Sequence, residues 1–263
     1  MKPHAFPSGP VGTLRRFREL IYLVVAGLVM VGYTYGTPPL LPEAWTGMLP
    51  LVGSLSGDLP VYAWRFALSL FLLGVIPFLV ALALGESLSS LGLRWPRRPF
   101  PRGFFLLFLG VMLLAAWLGG HNPETAAYYP YSRTLLERFA ARDFRLFPLH
   151  AVLYLAAYYL PWELFFRGVL LFPFLRLVRR EEGEPERLSP ALLTAACLQA
   201  VPSVMLHYHH PLPEVIVALP FAVGLGYLGL RTRSILPAIL LHATVGIGQD
   251  LVIALRAAGI LGG

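Results

Sequence analysis

Residues 161–168 read PWELFFRG, and they place Glu163 and Arg167 inside an apolar stretch that extends from about Phe147 to Leu177. No other full charge interrupts that stretch before Arg176. On a helix, residues four positions apart lie about 40° apart on one face. A charge near the centre of a bilayer costs at least about 2.5–3.5 kcal/mol, so such residues usually face a bundle interior and mark functional sites. The stretch therefore predicts either a functional site within the membrane or a structural ion pair.

The composition agrees with a membrane-embedded chain. Of the 263 residues, 57% are hydrophobic and only 13% are charged, whereas a soluble domain carries about a quarter charged residues. The apolar segments are too numerous for a single signal peptide. The predicted fold class is all-α, a polytopic membrane helix bundle with about seven transmembrane helices. The predicted spans are Leu20–Gly36, Trp64–Leu84, Phe104–Gly119, Phe147–Leu177, Leu188–His207, Glu214–Leu230 and Ile235–Leu255.

The arginines indicate an orientation. They cluster in the loops after the second, fourth and sixth spans, which predicts a cytoplasmic N-terminus, an external C-terminus and a location in the plasma (inner) membrane. Residues 37–63 form a predicted external loop, and Ser132–Arg145 is a predicted amphipathic helix at the membrane interface. The net charge of +7 follows from these loops. It does not indicate nucleic-acid binding, because no basic face with interleaved aromatic residues is present.

Two further segments carry polar residues. His207 ends the fifth predicted span, five residues after Pro202, and His209 and His210 follow it closely. Interfacial histidines satisfied by water are the alternative interpretation, above all for His209 and His210. Glu214 follows Pro213, where a carboxylate can also simply stabilise the start of a helix.

His242 lies well inside the seventh predicted span, which favours a functional role. At 100° per residue, Gly246 and Gln249 lie within about 40° of His242, and Asp250 lies about 80° away. Gln249 therefore shares the stripe of His242, and Asp250 borders it.

Three blocks together resemble one known family: WELFFRG at 162–168, SVMLH at 203–207 and RTRSILPAILLHATVG at 231–246. They are similar to the CAAX protease and bacteriocin-processing family of intramembrane proteases, whose motifs are EExxxR, FxxxH and HxxxN or HxxxD. The chain departs from these motifs at Ser203, at Gly246 and at Trp162, which stands where the family has its first glutamate, the one generally assigned to activating water. A subgroup with a WExxxR block matches at the four positions Glu163, Glu214, His242 and Asp250. The resemblance divides the chain into an N-terminal region with two spans, 1–102, and a protease core, 103–263.

The resemblance implies a glutamate-type hydrolysis without a cofactor. Glu163 and His207 would polarise the attacking water, and Arg167 would orient Glu163. His242, with Gln249 or Asp250, would hold the oxyanion. Trp162 and Glu214 would support the site. The implied substrate is a membrane protein, or a lipidated or other peptide, reached within the lipid bilayer.

Three alternatives stay open from the sequence. His207, His242 and Glu163 could bind Zn²⁺ and leave a position for water, although no HExxH motif is present. Trp162 at the glutamate position also fits a pseudoprotease that binds or assembles membrane proteins without cleaving them. A carrier using the same polar cavity is a further alternative, but the chain lacks the two related halves typical of carriers.

Overall fold

The computed structural model describes residues 17–37, 57–96, 100–175 and 190–262, and the regular secondary structure within these ranges is helical throughout. The nine helices in these ranges are α1 Arg18–Gly36, α2 Leu59–Ala83, α3 Arg102–His121, α4 Pro123–Tyr128, α5 Arg133–Ala140, α6 147–169, α7 Pro190–Met205, α8 Leu212–Thr232 and α9 Leu236–Ala257. This confirms the predicted all-α class.

Five of these helices, α1, α2, α3, α8 and α9, are long and apolar enough to cross a membrane. The predicted helical membrane bundle is therefore confirmed. The other two predicted spans correspond to α6, which contains Glu163 and Arg167, and to the 16-residue α7. One boundary was wrong: α2 begins at Leu59, inside the predicted loop 37–63. Pro60, in the first turn of α2, favours this early start because its fixed φ is pre-set for a helix. The rest of that loop, 38–56, lies outside the described residues.

One end of the bundle brings together two arginine-containing segments, the one before α3 and the turn between α8 and α9. The Nε of Arg94 donates to the carbonyl oxygen of Arg233 at 2.8 Å, and the amide of Ile235 donates to the carbonyl oxygen of Gly92 at 2.9 Å. These bonds join the segment before α3 to the turn between α8 and α9. At the start of α1, Tyr22 packs in the same core cluster as the end of α2. These helix ends therefore share one side of the molecule.

The opposite end is held by a different set of contacts. Ser132 Oγ donates to Asp58 Oδ1 at 2.8 Å, which joins the start of α5 to the start of α2. Arg142 Nε donates to the carbonyl oxygen of Ala258 at 3.3 Å, beyond the end of α9. The short helices α4 and α5 lie at this end. The helix predicted over Ser132–Arg145 is the shorter α5, and its location at the membrane interface stays a prediction.

Helix α6 departs from α-helical geometry at two points. Residues Tyr154–Tyr159 and Leu164–Val169 are π-helical turns, with Leu160–Glu163 between them. Pro161 lies in this middle segment and cannot donate a backbone hydrogen bond. It packs on Gly74 of α2, where an added Cβ would lie 3.3 Å from the Cβ of Pro161. π-helical turns inside helices occur frequently at functional sites.

The outward faces are apolar, as expected of helices in contact with lipid. The exposed large side chains include Leu23, Leu28, Leu106, Leu107, Leu114, Leu198, Met205 and Ile216. Inside, α1 and α2 share one core cluster with α6, through residues such as Tyr33, Phe66 and Trp162. The division into 1–102 and 103–263 stays a prediction.

Candidate active site

Glu163, Arg167 and His242 form one buried cluster between α6 and α9. Glu163 Oε1 lies 2.6 Å from His242 Nδ1 and 3.2 Å from Arg167 Nη1. The side chains of Glu163 and Arg167 are fully buried, and that of His242 is 19% exposed. The contact with Arg167 is an ion pair by distance, but its N–H groups are not aligned on the carboxylate as in a hydrogen bond.

This geometry decides how His242 can act. Its Nδ1 donates to the carboxylate of Glu163, so Nε2 is the ring nitrogen left for a substrate or for water. A carboxylate behind a histidine fixes the orientation of the ring and stabilises its protonated form. Glu163 is therefore placed to act through His242, whereas the resemblance implied that it would contact the water directly.

Trp162 packs between the two histidines. Its ring meets His207 edge-to-face at a centroid distance of 5.3 Å and His242 at 6.2 Å. Tyr158 stacks on it at 5.7 Å, and Phe166 lies at 4.9 Å. The side chain is only 1% exposed. Where the family motif has a carboxylate, this chain has a buried aromatic wall.

His207 is held by the backbone of its own helix. Its Nδ1 donates to the carbonyl oxygen of Ser203 at 2.7 Å, which leaves Nε2 as its free nitrogen. Pro202 lies inside α7, and the regular helix ends at Met205. The chain then turns through His207 toward α8. The small Ser203 in place of a phenylalanine is itself buried, at 2% exposure.

Glu214 contributes a second carboxylate from the first turn of α8. Its Oε1 accepts from His210 Nδ1 at 2.9 Å, and Tyr129 Oη lies 3.0 Å from both carboxylate oxygens. His207 Nε2 is 3.8 Å from the same Oε1. Burial, together with the charge of Glu214, raises the pKa of the Tyr129 phenol well above its usual range. Tyr129 therefore stays protonated and serves as a donor.

A cavity of about 320 Å³ joins these groups. Its polar wall is formed by Asn122, Tyr129, Arg167, His207, Glu214, His242 and Gln249, and its apolar wall by residues of α3, α8 and α9 such as Met112, Leu118, Val217, Phe221, Leu225 and Val245. Glu163 is absent from the described lining. Gln249 lies on the stripe of His242, as predicted, and packs over Gly119 of α3, where an added Cβ would be 2.3 Å from its Oε1.

Asp250 faces a different cluster. Its Oδ2 lies 2.9 Å from His150 Nε2, and Tyr62 Oη lies 2.6 Å from His150 Nδ1. Asp250 is fully buried and is absent from the described cavity lining. Asp250 therefore does not face the cavity, as its predicted role at the oxyanion would require. The pair ties α6 to α9 at the end opposite Glu163 and His242.

Sequence reasoning missed three residues of these clusters. Tyr129 and His150 received no role, and His210 was interpreted as an interfacial histidine satisfied by water. A lone histidine in the apolar run 147–177 was the available signal for His150.

Zinc binding by His207, His242 and Glu163 stays a prediction. Among the described residues, no three or more His, Cys, Asp or Glu side chains are grouped to hold a metal ion. The carboxylate of Glu163 contacts His242 Nδ1, and the Trp162 ring packs against both histidines.

A comparison with known protein families matches the part of the chain that contains the three sequence blocks at 162–168, 203–207 and 231–246. Residues 144–247 match the family model described as type II CAAX prenyl endopeptidase Rce1-like. The matched range contains Glu163, Arg167, His207, Glu214 and His242. No curated protein and no solved structure matches the chain.

Proposed function

We propose that this chain is an intramembrane endopeptidase that cleaves a membrane-associated protein or peptide, and the match of residues 144–247 to the Rce1-like family of CAAX endopeptidases supports this. The observation that supports this best is the Glu163–His242 contact of 2.6 Å beside a cavity that His207 also lines. Peptide hydrolysis needs a base for water and a donor for the oxyanion. Two histidines with free Nε2 atoms on one cavity can supply both.

In this proposal the two histidines have different roles. The free Nε2 of neutral His207 accepts a proton from the attacking water. His242, protonated and paired with Glu163, donates through Nε2 to the carbonyl oxygen as negative charge develops there. Arg167 provides the counter-charge of Glu163, because its Nη1 lies 3.2 Å from the carboxylate.

The cavity also suits an amphipathic or lipid-modified substrate. The apolar wall between α3 and α8 can hold a hydrocarbon chain, while the polar wall faces the peptide. A prenylated peptide and its unmodified counterpart are therefore the first substrates to compare.

The expected result is cleavage of such a peptide by the purified protein in detergent, with no loss when a chelator is added. His207→Ala and His242→Ala should each lower kcat/KM by at least about 10²-fold, because each removes a proton-transfer group. His209→Asn is the matched control. His209 is an exposed histidine two residues from His207, and asparagine tolerates its φ of 75°. An inactive wild type, or active His207 and His242 variants, would contradict the proposal.

A non-catalytic binding protein is the second candidate. The buried indole of Trp162 in place of the motif's first glutamate favours it. This candidate predicts that the wild type retains the prenylated peptide without cleaving it, whether or not metal ions are added.

We further propose that the cavity opens on the external side of the membrane. Two described arginine-containing segments, one before α3 and one between α8 and α9, lie together at one end of the bundle, and positive-inside placement assigns that end to the cytoplasm. The cavity is lined by Asn122, Tyr129 and Glu214, which belong to the opposite end.

This orientation can be measured with single cysteines in a Cys197→Ala background. Ala141 and Trp95 are exposed at the two opposite ends. Ala141→Cys is expected to react with a membrane-impermeant maleimide in intact cells, and Trp95→Cys only after the membrane is opened. The reverse pattern would place the cavity mouth on the cytoplasmic side.

A further inference from the structure

We propose that Glu214 is the carboxylate that activates the attacking water together with His207, in place of the glutamate that Trp162 replaces. This inference rests on the proposed function and deepens it. It assigns the water-activating carboxylate to α8, although the family motif provides it on the helix equivalent to α6.

The position of the two carboxylates supports this assignment. Glu163 is fully buried and lies behind His242, so it is not on the described cavity wall. Glu214 lines the cavity, and its side chain is 25% exposed. Of these two acids, only Glu214 can meet a water molecule without a rearrangement.

The distance to His207 fits a shared water. Glu214 Oε1 lies 3.8 Å from His207 Nε2. At this separation, one water oxygen can lie about 2.8 Å from both atoms, which is a normal hydrogen-bond distance. Because His207 Nδ1 is already bound to the carbonyl oxygen of Ser203 at 2.7 Å, Nε2 is free to take part.

The hydrogen-bond partners of Glu214 fix its carboxylate but leave some of its acceptor positions free. Tyr129 and His210 each provide one donor, at 3.0 and 2.9 Å. An ionised carboxylate offers about four acceptor positions, so positions remain for water. A group that only secured the start of α8 would not need two donors to fix its orientation toward the cavity.

The reaction balances with these groups alone. The water oxygen forms a bond to the peptide carbonyl carbon, and the carbonyl π electrons move to the oxygen, which His242 stabilises. One proton of the water passes to the Glu214–His207 pair. When the intermediate collapses, the C–N bond breaks, and the nitrogen takes that proton and leaves as an amine. No oxidant, reductant or further co-reactant is required.

The test compares three variants in the peptide-cleavage assay with the full-length protein. Glu214→Gln is expected to lower kcat by about 10²–10⁴-fold with little change in KM, because it removes a base and keeps the shape. Glu214→Ala is expected to lose as much and to recover at least about tenfold in added formate, which can replace the missing carboxylate. Glu124→Gln is the matched control, because Glu124 lies at the same end and accepts from the amide of Leu212, two residues before Glu214.

The outcomes separate this inference from the function on which it rests. A wild type that cleaves, with a Glu214→Gln variant that retains its kcat, would overturn the assignment of Glu214 and leave the function intact. Loss of activity in Glu214→Ala without formate rescue, together with a lowered thermal stability, would reduce Glu214 to a structural role. A wild type that cleaves nothing would overturn both.

Discussion

Glu163→Ala is expected to lower the free energy of unfolding by about 3–5 kcal/mol, because it leaves the buried guanidinium of Arg167 without its counter-charge. Arg167 is only 1% exposed, and its ion-pair partner Glu163 lies 3.2 Å away. His242 would lose the acceptor of its Nδ1 in the same substitution. Denaturation in mixed micelles, followed by circular dichroism, measures this loss.

The double variant Glu163→Gln/Arg167→Met separates stability from catalysis. Replacing both members of a buried pair by neutral residues of similar size is often neutral for stability. The glutamine oxygen can still accept from His242 Nδ1, so most of the lost stability should return. Cleavage should stay lost, because a neutral amide does not stabilise a protonated His242.

Two results would contradict this account. If the Glu163→Ala variant unfolds at the same denaturant concentration as the wild type, then Arg167 is hydrated and the pair is not buried. If the double variant cleaves peptide at the wild-type rate, then the charge of Glu163 plays no part in the reaction. Arg138→Met is a suitable control, because Arg138 is half-exposed and only 3.8 Å from Asp143 in a surface pair.

The sequence was sufficient to predict the interior position of this pair. Two charges in an otherwise apolar run can avoid lipid only by facing the bundle, so the burial of Glu163 and Arg167 followed from their surroundings. The stripe formed by His242 and Gln249 followed equally from the regular period of α9. These predictions depend on one helix at a time.

The direction in which Glu163 points could not be predicted in the same way. The π-helical turns of α6 on either side of Leu160–Glu163 use i→i+5 hydrogen bonds, so 100° per residue no longer describes that helix. The contact of Asp250 with His150 could not be predicted either, because the two residues are a hundred positions apart in the sequence. The role of Tyr129 depends on a turn that brings it to Glu214, which no local period encodes.

The second large effect is expected at Gly246, the position where the family motif has asparagine or aspartate. Gly246→Asn restores the motif by composition, but a Cβ at this position would lie 1.5 Å from the hydroxyl oxygen of Tyr159 on α6. The buried Tyr159 side chain or the two helices must then shift, and overpacking of this kind costs about 1–3 kcal/mol or more. The variant should lose thermal stability and should also lose cleavage, because Tyr159 and His242 line the same cavity.

Gly110→Ala on α3 is the matched control, since nothing lies within 4 Å of the Cβ that it would add. It should be neutral or stabilising by up to about 1 kcal/mol, because alanine favours a helix over glycine.

Tyr159→Ala should partly restore the stability of Gly246→Asn by removing the ring that the new side chain meets. A stable Gly246→Asn variant that cleaves faster than the wild type would contradict the packing of Tyr159 on α9. It would mean that the missing motif residue limits the native enzyme. If Gly246→Asn is unstable alone and recovers stability with Tyr159→Ala, then close packing of α6 on α9 excludes a side chain at that position, and the oxyanion must be held by His242 and its neighbours on the cavity wall.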